Sequence, residues 1–473
     1  MISKKRTAPI PPRGSLLDSI YPLYPQRLNV YKELPLGGLG GFRFSMLNNK
    51  TIVLGVTGSI AAYKIANLAS MLVKLNANVH VIMTKNACNF ITPITFETIT
   101  GNKCLVDTFN RNFEFNVEHV ALAKRADLFL VAPASANIIG KIASGICDDM
   151  LTTTIFATKA PKLIAPAMNT NMWENPILQD NLKKLEHYGY QIIQPASGRL
   201  ACGDTGSGKL PSEETLLQHI LLAVACEKDM EGKRVLITAG PTQESIDPVR
   251  YITNHSSGKM GYAIAKMAAL RGAKVTLVSG PVNIQAFAGI NVVDVISAAD
   301  MYREVTSRSA DNDIIIMCSA VADYTPSNYS TQKVKKNDGN MSIPLMRTKD
   351  ILKYLGENKP EGQILVGFSM ETENLIENSR AKLTKKNADL ICANSISDGK
   401  TGFAVDTNQV TLISKEEVKV LPLCSKEETA EMILDEIMKK KRPLPPLYTY
   451  SDVINIGLPS VGREPEGKRQ SSK

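Results

Sequence analysis

Residues 197–212 read SGRLACGDTGSGKLPS and combine a thiol with the spacing of a phosphate-binding loop. Gly203, Gly208 and Lys209 stand as in a Walker loop, whose amides and lysine would cradle a polyphosphate. The next residue is Leu210, so the magnesium-binding hydroxyl is missing, and Pro211 delays the helix start to Ser212. The Walker reading fails on both counts. What remains is a Gly/Ser-rich flap carrying Cys202 in polar surroundings, which argue against burial of this thiol. Lys333, Lys335, Lys336, Lys382, Lys385 and Lys386 form a cationic set, ordinarily a solvated face and in a nucleotide site the charge that neutralises phosphates.

The other cysteines stand at 88, 104, 147, 226, 318, 392 and 424, with no CxxC and no histidine beside them. This argues against a zinc site and against a secreted disulfide framework. They read as small core hydrophobes in a reducing compartment, which places the protein in the cytoplasm. The net charge of +9 belongs to the ends: residues 1–45 carry seven basic and two acidic side chains, residues 439–473 eight and three. The body is near neutral, so nothing in it favours nucleic acid. No run of 18 apolar residues exists to span a membrane.

Several elements must position these groups. From Met46 the chain reads strand, Gly turn, helix, strand in KTIVLGVTGSIAAYKIANLASMLVKLNANVHVIMTK, and residues 126–135 and 162–170 are further short apolar strands. Strands separated by helices imply a parallel sheet with helices on both faces. A helix at 212–226, with Ser212 as N-cap, closes a first domain over 46–228, followed by a polar hinge, EKDMEGK. A second α/β domain over 229–440 opens at KRVLITAGPT and has a helix around 258–271. Strands follow at 312–324, 364–372 and 388–396, then a hairpin in GFAVDTNQVTLIS and a last helix near 426–440. Two successive doubly wound parallel-sheet domains result, between tails at 1–45 and 441–473 that lack core-forming patterns.

Each domain starts with a strand and a Gly turn into a helix, a geometry that suits phosphate. GVTGSIAAYK lacks GxGxxG, and the second strand ends in Thr84-Lys85 with no acid for a ribose diol, so FMN fits better than NAD.

GVTGSIAAYK, EHVALAKRADLFLVAPASAN, PAMNTNMW and ACGDTGSGKL together resemble the flavoprotein half of the bifunctional phosphopantothenoylcysteine decarboxylase/phosphopantothenate–cysteine ligases. TAGPTQESIDPVRYITNHSSGKMG, CSAVADY, KVKK, GFSMETE and KLTKKNADLICAN resemble the ligase half, and the likeness runs over about 46–440. It implies a flavodoxin-like FMN domain and a Rossmann-like CTP domain. Together these would convert 4′-phosphopantothenate, L-cysteine and CTP through 4′-phosphopantothenoylcysteine into 4′-phosphopantetheine, on the route to coenzyme A.

In the first domain the resemblance implies Cys202 as proton donor, His119 as base or orienting group and Asn169 as holder of the departing carboxylate. Gly58, Ser59, Ser135, Asn137 and the SGICDDM segment match flavin contacts. A thioaldehyde made by flavin oxidation would be the electron sink for loss of carbon dioxide, beneath a closing flap. In the second domain it implies an acyl-cytidylate, with Lys333 and Asn254 processing it and Arg250 in the same motif. CTP contacts would be Met317, Cys318, Ser319, Asp323, Lys333, Lys349, Asp350, Ile351, Leu352, Phe368, Lys382 and Lys386, with Mg2+ at Asp323. Gly258 and Lys259 would begin a helix whose amides face a phosphate. Decarboxylase trimers and ligase dimers imply a homo-oligomer. Ser59 and Ser369-Met370 depart from the common pattern without removing a functional group. A flavin-binding regulatory protein and an NAD-dependent reductase are the competing readings; intact Cys202 opposes the first and the missing fingerprint the second.

Overall fold

The computed structural model describes residues 46–108, 118–200, 203, 205–335, 342–371, 373–395 and 406–441. Both tails, Cys202 and Lys336 therefore lie outside the described residues, except that the last helix runs on to Lys441.

The first half comprises β1 (Thr51–Val56), α1 (Ala62–Lys74), β2 (Asn78–Met83), α2 (Pro93–Thr100), α3 (Glu118–Arg125) and β3 (Leu128–Ala134). It continues with α4 (Ala136–Ser144), α5 (Met150–Ala157), β4 (Lys162–Pro166), α6 (Thr170–Trp173), α7 (Pro176–His187) and β5 (Tyr190–Ile192). A hairpin, β6 (Ala196–Arg199) and β7 (Thr205–Lys209), and the helix α8 (Glu213–Val224) complete it. The sheet order is β2-β1-β3-β4-β5 and every pairing is parallel. Every residue of β1 and β3 is buried, as in a parallel sheet covered on both faces. In α1, Ile65, Leu68, Ala69 and Leu72 recur at i, i+3, i+4 and i+7 and form the buried stripe.

The second half comprises β8 (Arg234–Ala239), β9 (Gln243–Ser245), β10 (Tyr251–Thr253), α9 (Lys259–Leu270), β11 (Lys274–Ser279), β12 (Asn291–Asp294), α10 (Ala298–Thr306) and β13 (Ile314–Met317). Then come β14 (Tyr324–Pro326), β15 (Leu345–Arg347), α11 (Ile351–Glu357), β16 (Ile364–Glu371), α12 (Leu375–Lys385) and β17 (Leu390–Ser395). The half ends with β18 (Thr407–Asn408), β19 (Val410–Ile413), β20 (Val418–Val420), β21 (Cys424–Ser425) and α13 (Lys426–Lys441). The large sheet has the order β12-β11-β8-β13-β16-β17-β19-β20; it is parallel up to β17 and antiparallel beyond. The two α/β sheets expected from the sequence are thus present, the first in the 2-1-3-4-5 order of flavodoxins.

Three local expectations are corrected. The hairpin assigned to 402–414 instead pairs β19 with β20, downstream, while 402–405 lie outside the described residues. The Gly240 turn does not lead straight into a helix: the antiparallel pair β9–β10 intervenes before α9. The polar hinge is also no hinge. Lys228 Nζ donates to Leu222 O at 2.5 Å and Leu270 O at 2.6 Å, placing one cation at the C-terminal ends of α8 and α9. Asp229 pairs with buried Arg271, which also donates to Asp435 at 2.7 Å, and Met230 is fully buried. One apolar core therefore runs from Leu72 through Leu216 and Ile220 to Ile264 and Ile433.

Lys228→Met keeps the aliphatic stem and removes the shared cation. We expect it to destabilise the native state by about 1–2 kcal/mol in urea unfolding, in proportion to a partly buried helix-terminal charge.

Candidate functional site

In doubly wound sheets, ligands enter at the carboxyl ends of the strands where the strand order reverses. Here these places lie between β1 and β3 and between β8 and β13. A buried threonine sits at each. The Thr57 hydroxyl donates to Pro133 O at 2.6 Å and accepts from Ser135 N at 3.1 Å. Thr238 Oγ1 accepts from Cys318 N and Ser319 N, both at 3.1 Å. Neither threonine figures among the residues expected from the sequence, because a β-branched residue at a strand end reads only as strand.

At the first crossing a cavity of about 920 Å3 is lined by Thr57, Gly58, Ser135, Asn137, Asp149 and Met172, among others. Ser135 caps α4 by accepting from Ile138 N at 3.4 Å, so the wall is a helix N-terminus that suits a phosphate. Hydroxyls, an amide, helix amides and a room of this size fit an FMN. Of the expected flavin contacts, Gly58, Ser135 and Asn137 are brought together. Ser59 lies outside this lining, and its hydroxyl accepts from Ala61 N at 3.3 Å in the turn before α1. Asp148 and Asp149 of the SGICDDM segment also line the cavity, both bound by Lys141, at 2.7 and 3.2 Å.

Asn169 is exposed and caps α6, accepting from Met172 N at 2.8 Å, while Met172 itself lines the cavity. His119 is half-buried in the first turn of α3, outside the lining. The flap is an antiparallel hairpin whose β7 is seated on residues 168–170. Gly208 holds φ +117°, and a Cβ there would lie 2.4 Å from Met168 O; a Cβ on Gly206 would lie 2.3 Å from Thr170 Oγ1. Met168 N donates to Gly208 O at 3.0 Å and Thr170 Oγ1 to Ser207 O at 3.0 Å. Of the Walker-like glycines, Gly208 is therefore a contact glycine, required by close backbone approach, whereas Gly203 has open space around it; Gly206 meets the Thr170 side chain. Cys202 lies in the connection between β6 and β7 and is outside the described residues.

At the second crossing, two adjoining cavities of about 530 and 560 Å3 share Ser319, Val321, Asp323, Phe368 and Lys382 and so form one cleft. Met317, Cys318, Lys349, Asp350, Ile351, Leu352 and Lys386 also line it, which leaves Lys333 as the expected CTP contact outside the lining. Lys382 Nζ donates to Phe368 O at 2.8 Å; burial, with repulsion from Lys386, pushes its ammonium below the ordinary lysine value. Lys386 is paired with Asp350, and Asn254 Nδ2 donates to Ala320 O at 3.0 Å. Burial pushes the Cys318 thiol up to about 12, so it is a neutral part of the wall. Ser319 Oγ and Asn394 Oδ1 are buried without a hydrogen-bond partner in this cleft, as expected of groups that await a ligand. Ser369, a departure from the common pattern, meets Ser379 at 2.8 Å and is internally satisfied.

Lys333 is exposed and outside the lining of both cavities, but its neighbour is clamped. Buried Asp247 accepts from Val334 N at 3.1 Å and from Arg250 Nε at 3.0 Å, and Arg250 Nη2 donates to Val334 O at 2.9 Å. Arg250, aided by the amides of Val249, Val334 and Arg250, holds the Asp247 carboxyl well below the usual carboxylate range. A carboxylate depressed in the native state stabilises above its unfolded pKa, about 4, and loses that contribution only as pH falls through the native value. The clasp is thus intact at neutral pH. Among the described residues no cluster of three or more metal-ligating side chains occurs.

Asp247→Asn is expected to lower hydrogen-exchange protection of the Val334 amide by about tenfold or more, since one charge-assisted acceptor is worth about 1.5–3 kcal/mol. Gly208→Ala is expected to lower the unfolding midpoint, through a penalty of about 1–3 kcal/mol, while Gly203→Ala, with open space around it, changes the midpoint less.

Residues 44–224 match the Flavoprotein family and residues 230–441 the DNA/pantothenate metabolism flavoprotein C-terminal domain. The coenzyme A biosynthesis bifunctional protein CoaBC of Bacillus subtilis (strain 168) is 48% identical over 396 residues, covering 83% of this chain and 97% of the relative. That of Haemophilus influenzae is 43% identical over 394 residues, covering 83% and 98%. A crystal structure of the C-terminal domain of CoaBC is 45% identical, covering 45% of this chain and 98% of that chain, with a TM-score of 0.39. The chain belongs to the family of bifunctional coenzyme A biosynthesis proteins, CoaBC.

Proposed function

We propose that residues 229–440 ligate L-cysteine to 4′-phosphopantothenate at the expense of CTP, and that residues 46–228 decarboxylate the product, 4′-phosphopantothenoylcysteine, to 4′-phosphopantetheine. The observation that carries the reading is the second cleft. Residues scattered from Met317 to Lys386 converge on it, it is rich in lysine, and two buried polar atoms in it lack partners. In ligation the pantothenate carboxylate attacks the α-phosphorus of CTP and pyrophosphate leaves. The cysteine amine then attacks the acyl carbon of the cytidylate, and CMP leaves. Lys382 and Lys386 offset triphosphate charge, Phe368 and the 318–320 backbone border the base, and Asn254 and Lys333 act at the acyl-cytidylate. Asp323 is exposed on the cleft wall and offers Mg2+ one hard carboxylate oxygen, the triphosphate supplying others.

For decarboxylation, Gly58, Ser135 and Asn137 would hold FMN, which supplies the two-electron oxidation and return reduction at the thiol-bearing carbon. Asn169 would orient the departing carboxylate and His119 the substrate. Cys202 would donate the proton that completes the product carbon. The hairpin excludes water while this occurs. No helix among the described residues is long and apolar enough to cross a membrane, which accords with a cytoplasmic enzyme. Assembly from decarboxylase trimers and ligase dimers follows from the same reading.

Purified protein should show flavin absorbance and release pyrophosphate from CTP only with 4′-phosphopantothenate present; a colourless preparation with full turnover would refute the FMN assignment. Cys202→Ala should cut 4′-phosphopantetheine formation by about 100-fold or more, with ligation intact. Lys333→Ala should leave acyl-cytidylate accumulating in quenched reactions. Because burial makes the Lys382 ammonium deprotonate at lower pH than an ordinary lysine's, CTP affinity should fall with rising pH before the ordinary lysine range of about 10.4 is reached. Lys382→Ala should flatten that dependence in calorimetric titrations.

A further inference from the structure

Lys141 lines the first cavity but is not among the flavin contacts expected from the sequence. It stands four residues after Asn137 on α4, so the two share one face of the helix, a turn apart. Ile139, Ile142 and Ala143 turn the other way and are buried in the core. A lysine on such a helix ordinarily reaches into water; this one gathers two carboxylates. Its Nζ donates to Asp148 Oδ1 at 2.7 Å and to Asp149 Oδ2 at 3.2 Å. The same residue holds the other end of the segment, since Ile146 N donates to Lys141 O at 3.0 Å just past the helix end. Asp149 is engaged on its far side too: its Oδ1 caps α5, accepting from Thr152 N at 2.8 Å. One lysine thereby fixes residues 145–149 between α4 and α5.

Asp148, Asp149 and Met150 put this segment on the cavity wall. Two adjacent carboxylates repel each other and any anionic guest, and an ammonium between them offsets half of their charge. Hydrogen bonding from Asp148, joined by Asp149, pushes the Lys141 ammonium above the ordinary lysine value, and Lys141 holds the Asp148 carboxyl below the usual carboxylate range. Lys141 and Asp148 are therefore both charged at neutral pH. The remaining charged groups of the lining, Lys85 and Asp107, pair at 3.2 Å. Among the described residues the wall thus sets two lysines against three aspartates, a formal net charge of −1.

We propose that Lys141 is a positioning residue for the flavin, which fixes the 145–149 wall of the cavity and keeps the charge of that wall at one net negative. The inference rests on the FMN reading of the first cavity and adds a residue to it. The wall charge matters because FMN in this reading takes up two electrons and gives them back. A further negative charge on the wall weakens binding of the phosphate-bearing cofactor and opposes the electron uptake.

Lys141→Met keeps the aliphatic stem and leaves both aspartates without the ammonium. On dilution of the flavin-loaded full chain, followed by the fluorescence of released FMN, its Kd should rise about tenfold or more. Reduced FMN should lose about tenfold more affinity than oxidised FMN, which moves the two-electron midpoint about 30 mV to more negative potential. Asp148→Asn removes one negative charge at an exposed side chain and should move the midpoint the opposite way, while Lys141→Arg should restore both values. A general loss of stability produces no such opposition of sign. Lys141→Met with an FMN Kd within about twofold of wild type, or with an unmoved midpoint, would overturn the inference. If Lys141→Met fails to fold, Asp148→Asn decides: a positive shift supports the inference, and a midpoint that is unmoved or shifted negative overturns it. A wild-type chain that holds no FMN would sink the FMN reading as well, whereas a wild type that holds FMN beside a silent Lys141→Met would sink this inference alone.

Discussion

Two buried threonine hydroxyls organise the two strand-order reversals, where the cavities of this chain open. At a strand-order reversal the crossovers leave in opposite directions, and the loop amides between them need partners that neither helix nor sheet provides. Thr57 joins the ends of β1 and β3 through Pro133 O and Ser135 N, and Thr238 joins β8 to the Cys318 and Ser319 amides. Each bond is worth only about 1 kcal/mol net, but an unmet buried amide costs more. With the inner groups satisfied, the outer ones face a ligand. Gly58 and Ser135 do so in the first cavity, and Ser319 in the second.

Around these points the supporting contacts are long-range and made by residues unlike those of the sites. Asp247 and Arg250 fix the backbone beside Lys333 across more than eighty residues, so the exposed cation stands next to an anchored segment. Gly206 and Gly208 let β7 lie against residues 168–170, which include Asn169. Lys228 and Arg271 tie the connection between the two halves to both α8 and α9, joining the cores into one. Each device keeps a site on a rigid support, which short-lived bond rearrangements require.

The elements themselves were legible. Apolar runs such as LFLVAPA and IIIM mark buried parallel strands, and the 3.6-residue stripe of α1 marks a surface helix. Ser212 was readable as an N-cap, and it accepts from Thr215 N at 3.1 Å. In the second cleft the lysines were legible as a cationic set, whereas Met317, Ile351 and Leu352 were legible only through family likeness, since they carry no chemical signal of their own. The partners of Thr57, Asp247 and Lys228 left no local mark at all. Lys228 sat in a polar run that reads as a hinge, and its two carbonyl partners become neighbours only once α8 and α9 pack.

Sequence alone therefore determined the order of strands and helices, the absence of a Walker hydroxyl and a dinucleotide fingerprint, and the family. These depend on residue type at short spacing. Tertiary structure decided that Gly206 and Gly208 of the flap are contact points, that the hinge is a lock and that a buried lysine faces the second cleft. Those facts arise from pairs far apart in the chain, and only packing brings such pairs within reach.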